Sequence, residues 1–269
     1  MKWVLNVQKR FIKKLNKKIL IVVPLFNESK RGIKYIKELK DNIFVDSSEI
    51  NFLAIDDNST DDTHQQLLNL KNYMSTSLII IKNEKNIGHG KSIVNGYKFS
   101  LKHKYDYVLQ IDGDDNVEPV SVNQLINYSI NNNLDLVLGK RLNRPDPLIR
   151  KLITKILDFN LKIRFKVKQN DSNVGVRFHT RTFLSNIYLD NLLSLKIPNA
   201  FITSFANYFN YSVSSFPVIM RNNLILDRSG TQWGTGVGFK SKIKLIKATI
   251  ICFLEVNIKF NNLLKKAIK

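Results

Sequence analysis

The sequence predicts an α/β fold: a mostly parallel sheet with helices on both faces. Two observations predict it. Short apolar, β-favouring runs alternate with stretches of helical periodicity, the pattern of successive strand–helix units. Several of those runs also end in polar clusters, as strands do when their C-terminal tips form one edge of an open parallel sheet.

Taken in order, residues 2–18 carry Lys2, Lys9, Arg10, Lys13, Lys14, Lys17 and Lys18, with Trp3, Val4, Val7, Phe11 and Leu15 at helical spacing. Residues 1–18 therefore read as a basic amphipathic helix, either lying in a membrane interface or packed as a surface helix on its own domain. Lys18 to Phe26 is the first strand. A basic start followed by Ile19–Val23 has the outline of a signal peptide, but Pro24-Leu25-Phe26-Asn27-Glu28 follows with no small-residue cleavage pattern. A helix through Ile33, Ile36 and Leu39 comes next. The second strand is Phe52–Ile55, ending in Asp56-Asp57-Asn58-Ser59-Thr60-Asp61-Asp62-Thr63, whose Ser, Thr and Asp residues suit a helix N-terminus. Leu78–Ile81 is the third strand. Asn86-Ile87-Gly88-His89-Gly90-Lys91 turns into a helix passing Gly96 and Phe99, and Tyr107–Ile111 is the fourth strand.

Beyond Pro119 the pattern gives a helix over Val122–Ile130 and a strand over Leu134–Leu138 followed by Gly139-Lys140-Arg141. A helix over Leu148–Leu161 and a loop with a short strand over Asp171–Phe178 come next. A strand follows near Phe216–Met220, then polar Arg228–Gly234 and a basic helix from about Gly238. Three parts are expected: the helix 1–18, a main domain 19–237 and a basic amphipathic helix 238–269.

A chain of 269 residues is long enough for one such domain, and 43% hydrophobic residues are those of a folded protein. Forty-two basic against 22 acidic residues give a net charge of +20, which points to polyanionic partners. The basic residues are dispersed and no nucleic-acid reader motif is present, so nucleic acid is not an expected partner. One cysteine, Cys252, excludes an intramolecular disulfide and a Cys-based metal site, and fits a reducing compartment. The longest uncharged run near the C-terminus, about Ala248–Leu254, is far short of the roughly 20 residues that span a bilayer. No spanning segment is expected. No Gly-x-Gly-x-x-Gly follows the first strand, which argues against a dinucleotide oxidoreductase.

The chemistry concentrates where the fourth strand ends. Val108-Leu109-Gln110-Ile111 runs into Asp112-Gly113-Asp114-Asp115, three acids in four residues. Hard divalent cations take oxygen ligands, and magnesium sites combine one or two carboxylates with phosphate oxygens. A strand-end Asp-x-Asp is thus a place to hold a cation on a pyrophosphate; standing alone, it reads equally well as a solvated turn.

Four motifs stand in series: Val23-Pro24-Leu25-Phe26-Asn27-Glu28, Ile55-Asp56-Asp57-Asn58-Ser59-Thr60-Asp61, Asn86-Ile87-Gly88-His89-Gly90 and Asp112-Gly113-Asp114. In this order and spacing the chain resembles the family-two glycosyltransferases of the Rossmann-like GT-A fold. The match covers about residues 18 to 120 and continues more weakly to Trp233. Gly139-Lys140-Arg141 and Asp171-Ser172-Asn173-Val174-Gly175-Val176-Arg177 are most similar to the branch of dolichol-phosphate mannose synthase and bacterial polyprenyl-phosphate glycosyltransferases, with Asn173 and Val174 as departures. Pro217-Val218 followed by Arg228-Ser229-Gly230 copies a further motif of that branch imperfectly, leaving Arg221 and Arg228 as alternatives for its arginine.

The resemblance implies a nucleotide-sugar donor, linked to UDP or GDP. Pro24, Phe26, Glu28, Ile55 and Asp57 would form the nucleoside pocket, with Asp57 alternatively a plain N-cap and Asp56 structural. Asp112 and Asp114, joined by Asn116, would hold Mg²⁺ or Mn²⁺ on the diphosphate around Gly113; Asp115 is expected to be peripheral. Arg141 and Arg228 would contact phosphates unless they are ordinary surface charge. His89 has no evident partner and is expected to be solvent-exposed.

The acceptor decides the rest. A sugar hydroxyl needs a positioned carboxylate base, and Asp171 is the only candidate in the central region. A lipid monophosphate, with a second pKa of about 6, is already nucleophilic at neutral pH. The expectation is an inverting transfer to polyprenyl phosphate, ahead of transfer to a glycan hydroxyl. The enzyme would be cytoplasmic and held peripherally on an anionic membrane by its basic ends, where each cation contributes about 1 kcal/mol.

Overall fold

The structure, a computed structural model, describes residues 17–46, 48–114, 117–142, 148–221, 247 and 249–267. Seven strands form one sheet in the order β3-β2-β1-β4-β6-β5-β7. In chain order these are β1 (Lys17–Leu25), β2 (Ser48–Asp56), β3 (Leu78–Lys82), β4 (Tyr107–Gln110), β5 (Leu136–Leu142), β6 (Arg177–Thr180) and β7 (Val213–Ile219). β1, β2, β3 and β4 pair in parallel, as do β5 and β7; β6 alone is antiparallel, wedged between β4 and β5.

β1 shows why the chain folds this way. Ile19 to Val23 are all fully buried, with Leu20 and Val22 in one core and Ile19, Ile21 and Val23 in the other. Successive side chains of a strand point to opposite faces, so an unbroken apolar run demands cover on both sides. Helices α1 (Arg31–Asn42), α2 (Thr63–Met74) and α4 (Pro119–Asn131) supply residues to the Ile21 side. On the Leu20 side lie α3 (His89–Lys102), α5 (Leu148–Phe165), α6 (Arg181–Ser185), α7 (Leu189–Leu192), α8 (Pro198–Tyr208) and the C-terminal helix over 249–267. That last helix, which includes a π stretch at Glu255–Phe260, is tied in by buried Glu255, whose carboxylate accepts the N–H groups of Lys196 and Ile197 ahead of α8.

The mostly parallel sheet with helices on both faces is as expected, and several boundaries move. The first strand, read from Lys18, begins one residue earlier at Lys17, so the expected helix over 1–18 does not include these two lysines; residues 1–16 lie outside the described set. Gly139-Lys140-Arg141 lies inside β5 rather than after it, because parallel pairing with β7 continues through Arg141 opposite Val218. The segment read as a loop with a short strand delivers β6, and the helices α6, α7 and α8 that follow it were not expected. Among the described residues no helix is long and apolar enough to cross a membrane.

Candidate active site

The strand ends bring the polar clusters together. β1, β2 and β4 run in parallel, so Phe26–Glu28, Asp56–Asp57 and Asp112–Asp114 all emerge at one edge. β6 runs the other way, with Arg177 opposite Gln110, so the loop leading into β6 arrives at that same edge. Gly175 in that loop lies so close to the tip of β4 that a Cβ there would overlap the Asp112 carboxylate. Gly113 likewise packs directly on Leu25 at the end of β1.

Asp112 is the centre of this edge. Its side chain is half-exposed, but its Oδ1 is buried and pairs with His89 Nε2, from the first turn of α3, at 3.1 Å. Burial acts to raise the Asp112 carboxyl, but His89, with Arg141 and Arg177 behind it, outweighs burial and holds it below the usual carboxylate range. Reciprocally, burial acts to lower His89, and the carboxylates of Asp112, Asp114 and Asp57 outweigh that and hold the imidazole above its ordinary value. His89 is half-exposed, as expected from the sequence, but it is not without a partner. No pattern in the chain could signal its pairing with Asp112, which arises from the third and fourth strand–helix units meeting in space.

The same site tests whether a divalent cation fits. Among the described residues no three His, Cys, Asp or Glu side chains converge as a closed metal cage. Two acids at one strand end, Asp112 and, two residues on, Asp114, suit instead a cation sharing its ligands with phosphate and water. Asn116 and Asp115 lie outside the described residues.

The nucleoside-pocket residues divide. Phe26 is 40% exposed beyond β1, whereas Pro24 and Ile55 face each other across the β1–β2 ladder and Ile55 is wholly in the core. The Glu28 carboxylate lies 3.5 Å from Arg31 Nε, and the Glu28 N–H donates to Thr63 Oγ1. Asp57 is only 3% exposed, and it accepts from Asn83 Nδ2 (2.8 Å), the Ile87 N–H (2.9 Å) and the Gly88 N–H (2.8 Å). It thus anchors the turn that presents His89 (Gly88 has φ 91°), rather than serving as an N-cap. A carboxylate has about four acceptor sites, so at most one remains for a base. Asp56 is structural, accepting the Ser59 N–H at 2.8 Å with its Oδ2 3.3 Å from His64 Nδ1.

Arg141 and Asp171, assigned separately to phosphate binding and to proton abstraction, are joined. Arg141 donates from Nε to Asp171 Oδ2 (2.6 Å) and from Nη2 to Asp171 Oδ1 (2.7 Å), a bidentate fork. Both carboxylate oxygens are engaged, so Asp171 orients Arg141. Arg221 donates to Glu38 Oε2 at 2.7 Å and lies 3.4 Å from Glu118, a clamp between the end of β7 and α1. Arg228 lies outside the described residues.

Two further residues shape the β6 loop. Arg177 is fully buried and donates only to main-chain carbonyls: Val174, Ser172 and Asn199 at 2.9–3.1 Å. Burial pushes its guanidinium down to about 10, still cationic at neutral pH. Asp158 of α5 accepts the N–H groups of Asp171 (2.7 Å) and Ser172 (3.0 Å), and burial holds its carboxyl above the usual range despite those bonds. The sequence shows Arg177 as part of a motif; Asp158, inside a helix and 13 residues before Asp171, carries no such mark.

Comparison with known proteins agrees with this layout. The chain is 24% identical over 202 residues to an undecaprenyl-phosphate 4-deoxy-4-formamido-L-arabinose transferase of Salmonella choleraesuis, covering 75% of this chain but only 59% of that relative. It is 25% identical over 185 residues to a UDP-N-acetylglucosamine–dolichyl-phosphate N-acetylglucosaminyltransferase of Methanococcus voltae, covering 63% of this chain and 72% of that one. Among solved structures, glucosyl-3-phosphoglycerate synthase from Mycobacterium tuberculosis, in complex with Mn²⁺, UDP and glucosyl-3-phosphoglycerate, superposes with a TM-score of 0.58 at 14% identity. That match covers 90% of this chain and 81% of the synthase, and it establishes the shared GT-A fold. The model of glycosyl transferase family 2 matches residues 20–189, well over half of the chain, and the chain belongs to that family.

Proposed function

We propose that this glycosyltransferase moves a sugar from a UDP- or GDP-linked donor to a polyprenyl phosphate at a membrane surface, with inversion, using Mg²⁺ or Mn²⁺ at Asp112 and Asp114. The observation that carries the reading is the position of Asp112 and Asp114 at the strand-end edge, with the buried Oδ1 of Asp112 facing the His89 imidazole. A divalent cation bound there would neutralise charge developing on the departing nucleoside diphosphate. Phe26 borders the nucleoside, Glu28 lies close by, and Asp57 fixes the turn that carries His89 against Asp112. The acceptor oxygen forms a bond to the anomeric carbon as the bond from that carbon to the β-phosphate oxygen breaks. Arg141, oriented by Asp171, would contact phosphate.

The lipid-phosphate acceptor is supported by the Arg141–Asp171 fork, which engages both oxygens of the one carboxylate read as a base for a hydroxyl. A phosphate monoester needs no such base. The relatives named above act on undecaprenyl phosphate and dolichyl phosphate by their own descriptions.

The test is incubation with labelled UDP- and GDP-sugars and Mn²⁺, with and without polyprenyl phosphate. Label in the lipid fraction is expected; label entering only a water-soluble glycan would overturn the acceptor. Replacing Asp114→Ala should cut donor turnover about a thousandfold, the equivalent of losing ~4 kcal/mol of transition-state stabilisation. Full activity of that variant would remove the proposed cation site.

A further inference from the structure

Among the described residues, one helix presents an exposed apolar face. On its inner side α5 contributes Leu161 and Phe165 to the core and uses Asp158 to hold the loop beside the site. On its outer side Leu148, Leu152, Ile156, Phe159 and Ile163 are each between 46% and 83% exposed. At about 100° per residue these five fall within an arc of about 80°, and at 1.5 Å rise they form one stripe about 22 Å long. Lys151, Lys155 and Lys162 run along one border of it. The C-terminal helix, whose Phe260 ring lies 6.0 Å from that of Phe165, exposes Ile250, Leu254 and Ile258 in turn.

We propose that this face of α5 docks on an anionic lipid bilayer. Five large apolar side chains on one stripe enter the boundary between headgroups and acyl chains, and the bordering lysines meet lipid phosphates, the arrangement of an interfacial helix. Charge selects this occupant. Two copies paired through α5 would bring their lysine borders together on a chain of net charge +20, whereas an anionic surface neutralises them. The proposal rests on the lipid-phosphate reading for its purpose. Docking would bring the Asp158-held loop, and with it Asp171, Arg141 and Gly175, towards the layer in which such an acceptor is anchored.

The experiment is co-sedimentation of the full chain with phosphatidylglycerol or phosphatidylcholine vesicles, beside a thermal melt and a sizing run. The unaltered protein should bind phosphatidylglycerol vesicles well above phosphatidylcholine ones, less so as salt rises. Phe159→Glu with Ile163→Glu should weaken that binding at least tenfold and leave the melting temperature unchanged. Lys155→Glu with Lys162→Glu should weaken it severalfold on anionic vesicles only. Three results would overturn the proposal. One is vesicle binding unaffected by the apolar pair; another is a large fall in melting temperature from that pair, showing the stripe covered by the chain itself. The third is a dimer that the pair dissolves while vesicle binding stays intact. Sedimentation needs neither donor nor acceptor. Docking without transfer to lipid phosphate would defeat the acceptor reading alone, and transfer without docking would defeat this one alone.

Discussion

At the scale of single residues, the site is defined by what has no room and by how its acids are paired. Gly175 approaches Asp112 so closely that any side chain must displace the carboxylate. Gly175→Ala should therefore leave the fold intact while lowering kcat/KM with donor about a hundredfold, the usual consequence of moving a reacting geometry by about 1 Å; activity within twofold of the unaltered enzyme would show that Asp112 need not stay where it is. Asp57 makes a different prediction. It satisfies three N–H donors, and Asp57→Ala leaves them buried without an acceptor. At about 1–3 kcal/mol per buried group left unsatisfied, a loss near ~3 kcal/mol is expected, visible as a melting temperature lower by about 10 °C. Cys252 gives a pH test. Burial first, and Glu255 second, push its thiol up to about 12 from an ordinary 9.0. The folded chain keeps this proton where the unfolded chain loses it, so Cys252 lowers stability as pH rises from about 9 towards about 12. Slow alkylation of the folded protein near pH 9, accelerated by denaturant, is the expected readout.

Among the elements, β6 and its loop matter most and were least visible. Strands β1, β2 and β4 stand out in the sequence because each holds an apolar run buried on both faces, and β3 as a half-buried apolar run at the sheet edge. β6 is four residues, Arg-Phe-His-Thr, two of them polar and fully buried. Its membership of the sheet depends on partners on either side that only the folded chain supplies. Arg177 is the cost of that arrangement, a buried cation held by carbonyls. Arg177→Met should destabilise the protein by about 3 kcal/mol or more, since the Ser172, Val174 and Asn199 carbonyls lose their donor in a dry interior. A fall in chemical-denaturation midpoint together with weaker donor binding would be the matched signature, because the same loop presses Gly175 on Asp112. The Asp-x-Asp at the end of β4 was legible because an apolar run stopping on acids is a local pattern. The Arg141–Asp171 fork and the His89–Asp112 pair were not, since their partners are 30 and 23 residues apart and only the topology joins them.

For the molecule as a whole, one edge of one sheet gathers everything that the chemistry needs. The alternation of strands and helices predicts that edge, and with it the joint position of Phe26, Asp57 and Asp112, before any coordinates are known. The wedge of antiparallel β6 adds what alternation cannot predict: a second loop arriving from the opposite direction to close over the acids. The central claim is that a cation at Asp112 and Asp114 holds the donor diphosphate at this edge. A crystal grown with a UDP- or GDP-linked sugar and Mn²⁺ tests it most directly. The account predicts anomalous density for the ion within about 2.2 Å of a carboxylate oxygen of Asp112 or Asp114 and of a phosphate oxygen. A diphosphate bound elsewhere, with no ion touching either acid, would contradict it.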